Sequence, residues 1–225
     1  MEGIERMIDI SRDSGVAIIL LICFALIVVG YMLGGPVHSF RLSLLFSIKE
    51  RPSIFSKAGT YDQLINRLFN VQFILSLGIF ATILFRHILN HPFEEGHFFY
   101  MSLLFSLIFS VYYILWINVV RIVGNLFLPE SDVRMWLRDH LILSGEMGIV
   151  LFITTIIMIY IRGIESIGIY IGLFVVISLK VIAIYKGVRL FFSNLYSWFY
   201  LILYLCALEM IPFVLLYKSI IFLIA

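Results

Sequence analysis

The chain has 225 residues, of which 62% are hydrophobic and 13% are charged, and its formal net charge is +2. Soluble domains average about 25% charged residues, so this composition excludes a water-soluble core and predicts a protein solvated by lipid. The basic residues are spread between apolar segments, which gives no sign of a nucleic-acid partner, and no stretch is left for a second domain. We therefore predict one integral membrane domain over residues 1–225.

The apolar segments predict an all-α, polytopic membrane protein. A spanning helix needs about 20 mostly apolar residues. Six segments of this kind lie at residues 16–33, 71–89, 98–120, 141–161, 167–185 and 195–217. The first is predicted to be a retained helix, because its flank is acidic where a signal peptide is basic.

The segment 34–70 between the first two spans is polar but periodic. Apolar residues such as Leu64, Ile65 and Leu68 recur at helical spacing. The segment is predicted to form short amphipathic helices on the cytoplasmic face, interrupted at Pro52. The alternative is a docked loop without lipid contact.

Most lysines and arginines that flank the spans lie in segment 34–70 and in the connections after the third and fifth spans. Cytoplasmic loops carry such an excess, so both termini are predicted to lie on the outer side. In this topology Trp116, Trp136 and Trp198 fall near the cytoplasmic boundary, as an interfacial aromatic belt would.

Several polar residues lie inside the predicted spans. Glu146 and Lys180 lie at similar depths in neighbouring spans, and an ion pair between them would lower the cost of burying either charge. Asn118 lies slightly shallower in the third span. Glu209 lies nearer the outer face, where Arg86 is its predicted partner. These groups either line a path for protons, ions or a substrate, or lock the helices together, and the sequence leaves both interpretations open.

Small residues at four-residue spacing predict faces where helix backbones approach closely. The serines lie on the third span, and the glycine pairs lie on the first and fifth. The residues are Ser102, Ser106, Ser110, Gly30, Gly34, Gly168 and Gly172.

The predicted outer loop contains His87, His91 and His97, and the first two are four residues apart, as metal ligands on one helix face would be. Because Pro92 interrupts a continuing helix, an ordinary polar loop is the favoured interpretation, and no metal or other cofactor is predicted. The chain also lacks the short motifs of hydrolases, nucleotide-binding proteins and zinc enzymes, which favours a non-enzymatic role.

The last span contains Leu203-Tyr204-x-Cys206-x-x-Glu209-x-x-Pro212 and ends near Lys218. This stretch resembles the C-terminal span of an uncharacterised family of Bacteroidota multi-pass membrane proteins, a domain of unknown function. Ala207 departs from the threonine usual in that family. The resemblance implies an inner-membrane protein of a Gram-negative bacterium, with both termini periplasmic in the predicted topology, and implies no activity.

Together these features predict a non-enzymatic subunit or scaffold of a membrane complex. The resemblance extends this to other membrane subunits of an envelope machine, for example type IX secretion or gliding. The alternative is a small transporter or proton-coupled channel that uses Glu209 and the pair Glu146–Lys180.

Overall fold

The structure, a computed structural model, describes residues 14–34, 60–89, 97–127, 130–161 and 163–191. Within these ranges the chain forms five α-helices and no strand. They are α1 (Ser14–Gly34), α2 (Thr60–Leu89), α3 (His97–Phe127), α4 (Glu130–Tyr160) and α5 (Glu165–Phe191). Each contains a stretch long and apolar enough to cross a bilayer. The predicted all-α membrane fold is therefore confirmed. The sixth predicted span, 195–217, lies outside the described residues.

Helix α2 begins earlier than the sequence predicted. Residues 61–70, predicted to be part of a separate amphipathic segment, continue without a break into the span. The physical reason is that the two asparagines of this stretch are turned inward: Asn66 and Asn70 are buried beside Ile65 and Phe69, while Gln63 and Arg67 are exposed. Side chains buried against neighbouring helices do not need a membrane surface. The rest of the predicted segment, 35–59, lies outside the described residues.

Gly163 turns the chain between α4 and α5. Its φ of 82° lies in the left-handed region, which glycine adopts without the steric cost that a Cβ atom imposes. Helical hydrogen bonding continues on both sides, because the amide of Ile161 donates to the carbonyl of Ile157 and that of Gly168 donates to the carbonyl of Ile164. Gly163 therefore allows the short connection 161–164 to turn the chain between two spanning helices.

The described residues form two compact units, and the larger contains residues 14–110 and 139–179. Helix α1 runs antiparallel to α2, because Tyr31 contacts Phe69 while Cys23, earlier in α1, contacts Ser76, later in α2. Helices α2 and α4 are the inner helices, since 56% of each spanning window is buried, against 28% for α1.

The smaller unit contains residues 111–138 and 180–191 of the described chain. Its core joins the end of α3 to the start of α4 and consists of Trp116, Val120, Val133, Trp136 and Leu137. The rings of Trp116 and Trp136 lie 6.0 Å apart, and the two residues are only 4% and 6% exposed. These tryptophans therefore pack against protein, and their position at the cytoplasmic boundary stays a prediction. Trp198 lies outside the described residues.

Candidate functional site

The centre of the larger unit is a polar contact between α2 and α4, organised by Asn70. The amide of Asn70 donates to the carbonyl of Leu141 on α4 at 2.9 Å and to the carbonyl of Asn66 at 2.6 Å. Its Oδ1 accepts from the hydroxyl of Ser144 at 2.6 Å. Asn70 and Ser144 are both buried, so one carboxamide satisfies its donors and its acceptor entirely within the helix pair.

Gln72 makes a second contact across the same pair. Its Nε2 donates to the carbonyl of Gly148 on α4 and to the hydroxyl of Ser76, each at 3.0 Å. The side chain is completely buried, and its Oε1 accepts no hydrogen bond among the described residues. Ser76 also contacts the thiol of Cys23, so this contact extends to α1.

Glycines make this close approach sterically possible. A Cβ atom on Gly145 would lie 2.8 Å from the Cβ of Phe69, and one on Gly148 would lie 2.8 Å from the Cβ of Phe73. Phe69 and Phe73 follow one another on α2 as Gly145 and Gly148 do on α4, so the two helices run parallel. Lipid supplies no hydrophobic force between helices, and their association depends on such close packing and on interhelical hydrogen bonds.

The predicted serine face of α3 lies against α2. A Cβ on Gly78 would meet the hydroxyl of Ser106 and, at 2.9 Å, the carbonyl of Ser102. Ser102 and Ser106 are buried, and their hydroxyls donate to the carbonyls four residues earlier in the same helix, at Phe98 and Ser102. Ser110 is half-buried.

Lys180 lies in the smaller unit, against aromatic rings. Its Nζ is 5.9 Å from the ring centroid of Trp116 and 6.0 Å from that of Tyr112, both on α3. A cation over an aromatic face is attracted by the negative charge of the ring's π-system. These rings supply part of the polar environment that a charge within a span requires. The predicted ion pair of Lys180 with Glu146 stays a prediction.

The hydrogen bonds described above do not include the other predicted polar residues. Glu146 is half-buried and lies within electrostatic range of Tyr31 on α1. Asn118 is exposed, and its amide donates to the carbonyl of Ile114 at 2.8 Å. Arg86 is half-buried near the end of α2. Its predicted partner Glu209 lies outside the described residues.

The predicted glycine faces lie against side chains. Gly30 meets the ring of Phe69, Gly168 meets Met158, and Gly172 meets Phe80. Gly34 is buried at the end of α1.

Two of the histidines considered as metal ligands are exposed, namely His87 and His97. His91 lies outside the described residues. Across the described ranges, no group of three or more histidine, cysteine, aspartate or glutamate side chains could hold a metal ion.

Sequence reasoning did not single out Asn70, Gln72 and Ser144. A signal was present, because Asn66 and Asn70 are four residues apart, as are His140, Ser144 and Gly148. This is the same spacing that drew attention to the serines of α3. A neutral polar residue in a span is a weaker sequence signal than a charge, although in a bilayer a side-chain amide also requires a hydrogen-bond partner.

The arrangement is chemically suited to holding helices together. Asn70, Gln72 and Ser144, whose side chains form hydrogen bonds across the α2–α4 interface, carry neutral amides and a hydroxyl, which do not titrate at physiological pH. Apart from Gln72 Oε1, the hydrogen-bonding atoms named in this contact are satisfied by one another or by helix carbonyls.

A family model described as a domain of unknown function, DUF4271, matches residues 16–220. The match covers all five described helices except the first two residues of α1. No curated protein and no solved structure matches the chain.

Proposed function

The chain belongs to the DUF4271 family, whose function is unknown, and we propose that it is a non-enzymatic subunit or scaffold of a membrane-embedded complex. Its task in this proposal is to present a rigid set of spanning helices to partner proteins. The proposed location is the inner membrane of a bacterium, with both termini in the periplasm. The excess of lysine and arginine in the predicted cytoplasmic connections supports this orientation.

The observation that carries the proposal is the hydrogen-bonded contact between α2 and α4. The side-chain amides of Asn70 and Gln72 donate hydrogen bonds to carbonyls of α4 and to neighbours in their own helix. A transport path needs polar groups that are available to the transported species, whereas these amide hydrogens are occupied by the protein itself. Their arrangement fits a fixed helix bundle better than a path.

The proposed partners are other membrane protein subunits, in addition to the lipid bilayer. The resemblance to Bacteroidota membrane proteins supports an envelope machine of the type IX secretion or gliding kind as the place to look first. A scaffold of this kind would remain bound to its complex when the membrane is dissolved gently.

The test is purification of the tagged chain from its native membrane in mild detergent, followed by native mass spectrometry. The expected result is a particle that contains a second protein in fixed stoichiometry with the 26.0 kDa chain. As a control for non-specific association, the tagged chain is also purified after solubilisation with a harsh detergent. A particle that contains only this chain would refute the subunit proposal.

A second candidate function is that of a small transporter or proton-coupled channel. The observation that favours it is the half-buried Glu146, an ionisable residue in a spanning helix, where charges usually serve a function. Proton flux in proteoliposomes separates the two candidates when Glu146→Gln and Glu209→Gln are compared with the unchanged chain. Loss of flux with unchanged folding supports transport, and absence of flux in the unchanged chain excludes it.

A further inference from the structure

The outward face of α3 changes in character near the end of the helix. In residues 101–117 the exposed side chains are all aliphatic, namely Leu103, Leu104, Leu107, Val111, Ile114 and Leu115. Beyond residue 117 the exposed side chains of the described residues are of both kinds, namely Asn118, Val119, Arg121, Ile122 and Asn125. The end of this face therefore suits a different environment from the rest.

The aliphatic part is nearly as long as the hydrocarbon region of a bilayer is thick. Residues 101–117 rise about 26 Å at about 1.5 Å per residue, and the hydrocarbon region measures about 30 Å. Each headgroup layer adds about 5–8 Å. With residues 101–117 in the hydrocarbon, Asn118 lies at its edge. Arg121, about 6 Å beyond residue 117, then lies at the depth of the lipid phosphates.

The polar residues continue a line of aliphatic ones along the helix. Asn118, Arg121 and Asn125 are separated by three and four residues, so their side chains are neighbours on the helix surface. Toward the hydrocarbon the same line continues through Ile114 and Val111, which are 56% and 51% exposed. A line that is aliphatic along one part and polar along the next matches a phospholipid, whose acyl chain and headgroup follow one another in the same way.

The polar part of the line offers hydrogen-bond donors and a positive charge. An arginine guanidinium binds a phosphate group through two parallel N–H groups. Asn118 donates one N–H to the carbonyl of Ile114 at 2.8 Å, and its carboxamide has a second N–H. Helix α3 contains no aspartate or glutamate that would compete for the guanidinium. These donors fit an anionic, oxygen-rich ligand.

We propose that Asn118, Arg121 and Asn125 bind the phosphate of an anionic phospholipid, with an acyl chain lying along Val111 and Ile114. Arg121 is one of the basic residues after the third span, which is predicted to end on the cytoplasmic side. The cytoplasmic leaflet carries the anionic lipids, which supports an anionic headgroup over a zwitterionic one. The inference is independent of the proposed function, since a scaffold and a transporter can both hold such a lipid.

The test is native mass spectrometry of the purified full chain in mild detergent, titrated with phosphatidylglycerol. Arg121→Gln is expected to weaken binding of the first lipid about 5-fold, the effect of one basic residue at an anionic surface. The matched control is Arg134→Gln, which removes the same charge from an exposed arginine that already pairs with Glu130 at 3.6 Å. Binding to this control is expected to match that of the unchanged chain. Equal weakening in both variants would overturn the site, because it would show attraction to net charge alone.

A second pair of variants separates the charge from the geometry. Arg121→Lys keeps the charge without the paired N–H groups, so it should bind phosphatidylglycerol more tightly than Arg121→Gln and less tightly than the unchanged chain. Asn118→Leu combined with Asn125→Leu should weaken binding at unchanged net charge, and unaltered binding would overturn the role of the carboxamides. Far-UV circular dichroism checks that each variant remains folded.

The choice of lipid is tested with two other ligands. Phosphatidylcholine has the same phosphate and no net charge, and it should bind the unchanged chain more weakly than phosphatidylglycerol does. Equal binding of the two lipids would overturn the anionic assignment. Inorganic phosphate tests the acyl chain, because displacement of phosphatidylglycerol by an equal concentration of phosphate would show a site for the free anion and overturn the lipid.

Discussion

Replacing Gly148 by alanine tests whether the α2–α4 contact holds the larger unit together. The new Cβ would lie 2.8 Å from Gln72 Oε1 and 2.9 Å from the Cα of Phe73. Non-bonded carbon atoms rest about 3.5–4.0 Å apart, so the helices have to separate by nearly 1 Å. Because the Cα of Phe73 is backbone, no rotamer change relieves this clash.

The magnitude follows from three contributions. Overpacking of this kind costs about 1–3 kcal/mol. Separation also stretches the 3.0 Å hydrogen bond from Gln72 to Gly148, worth about 0.6 kcal/mol in a membrane protein. In the opposite direction, alanine stabilises a helix by up to about 1 kcal/mol relative to glycine. The net loss in the free energy of unfolding is therefore about 1–3 kcal/mol.

The assay is reversible unfolding of the purified protein in mixed micelles, followed by far-UV circular dichroism as the fraction of SDS rises. Gly168→Ala is the matched control, since its Cβ would meet Met158, a flexible side chain that can move aside. This control gains the same helix propensity, and its free energy of unfolding should fall by less than that of Gly148→Ala because only a side chain has to move. Equal values for the two variants would refute the argument that backbone contact at Gly148 is specific.

Three further predictions concern the other contacts. A double-mutant cycle of Asn70→Leu and Ser144→Ala should give a coupling energy of about 0.6–1.7 kcal/mol, and a value near zero would contradict the interhelical hydrogen bond. Lys180→Met should lower the free energy of unfolding by about 1–2 kcal/mol through loss of the contact with the Trp116 ring, whereas Lys180→Arg should retain most of it. Cys23 is completely buried, so in a chain whose other cysteine is replaced by alanine it should resist a membrane-permeable maleimide until SDS unfolds the protein; rapid labelling of the folded protein would contradict this burial.

The sequence predicted the spanning helices well because lipid imposes a simple rule on them. A helix that crosses a bilayer needs a long apolar stretch, and such stretches are visible without knowledge of any neighbour. The start of α2 was harder to predict because the same rule depends on hydropathy alone. Asn66 and Asn70 lower the hydropathy of that stretch, so the span was predicted to begin at residue 71, although both residues are buried inside the helix pair.

The candidate site could be predicted only in part. Which face of a helix is buried depends on its neighbours, and α2 and α4 are covered on several sides, so their apolar residues show no clear stripe. The contact of Asn70 with Ser144 therefore requires the relative register of two helices that are far apart in sequence. Four-residue spacing indicated which residues share a face but not which helix that face meets.

Glu146 and Ser144 lie on different sides of α4. This difference distinguishes a helix-packing role from a transport role, which the sequence alone could not distinguish. Successive residues of an α-helix are rotated by about 100°, so these two side chains point about 160° apart. Ser144 faces Asn70 and is completely buried, while Glu146 is half-buried and within electrostatic range of Tyr31 on α1. The hydrogen bonds of Asn70 with Leu141 and Ser144, and of Gln72 with Gly148, use groups other than the Glu146 carboxylate. Replacing Glu146 by glutamine leaves these donors and acceptors unchanged, which makes it the variant that tests the transport alternative.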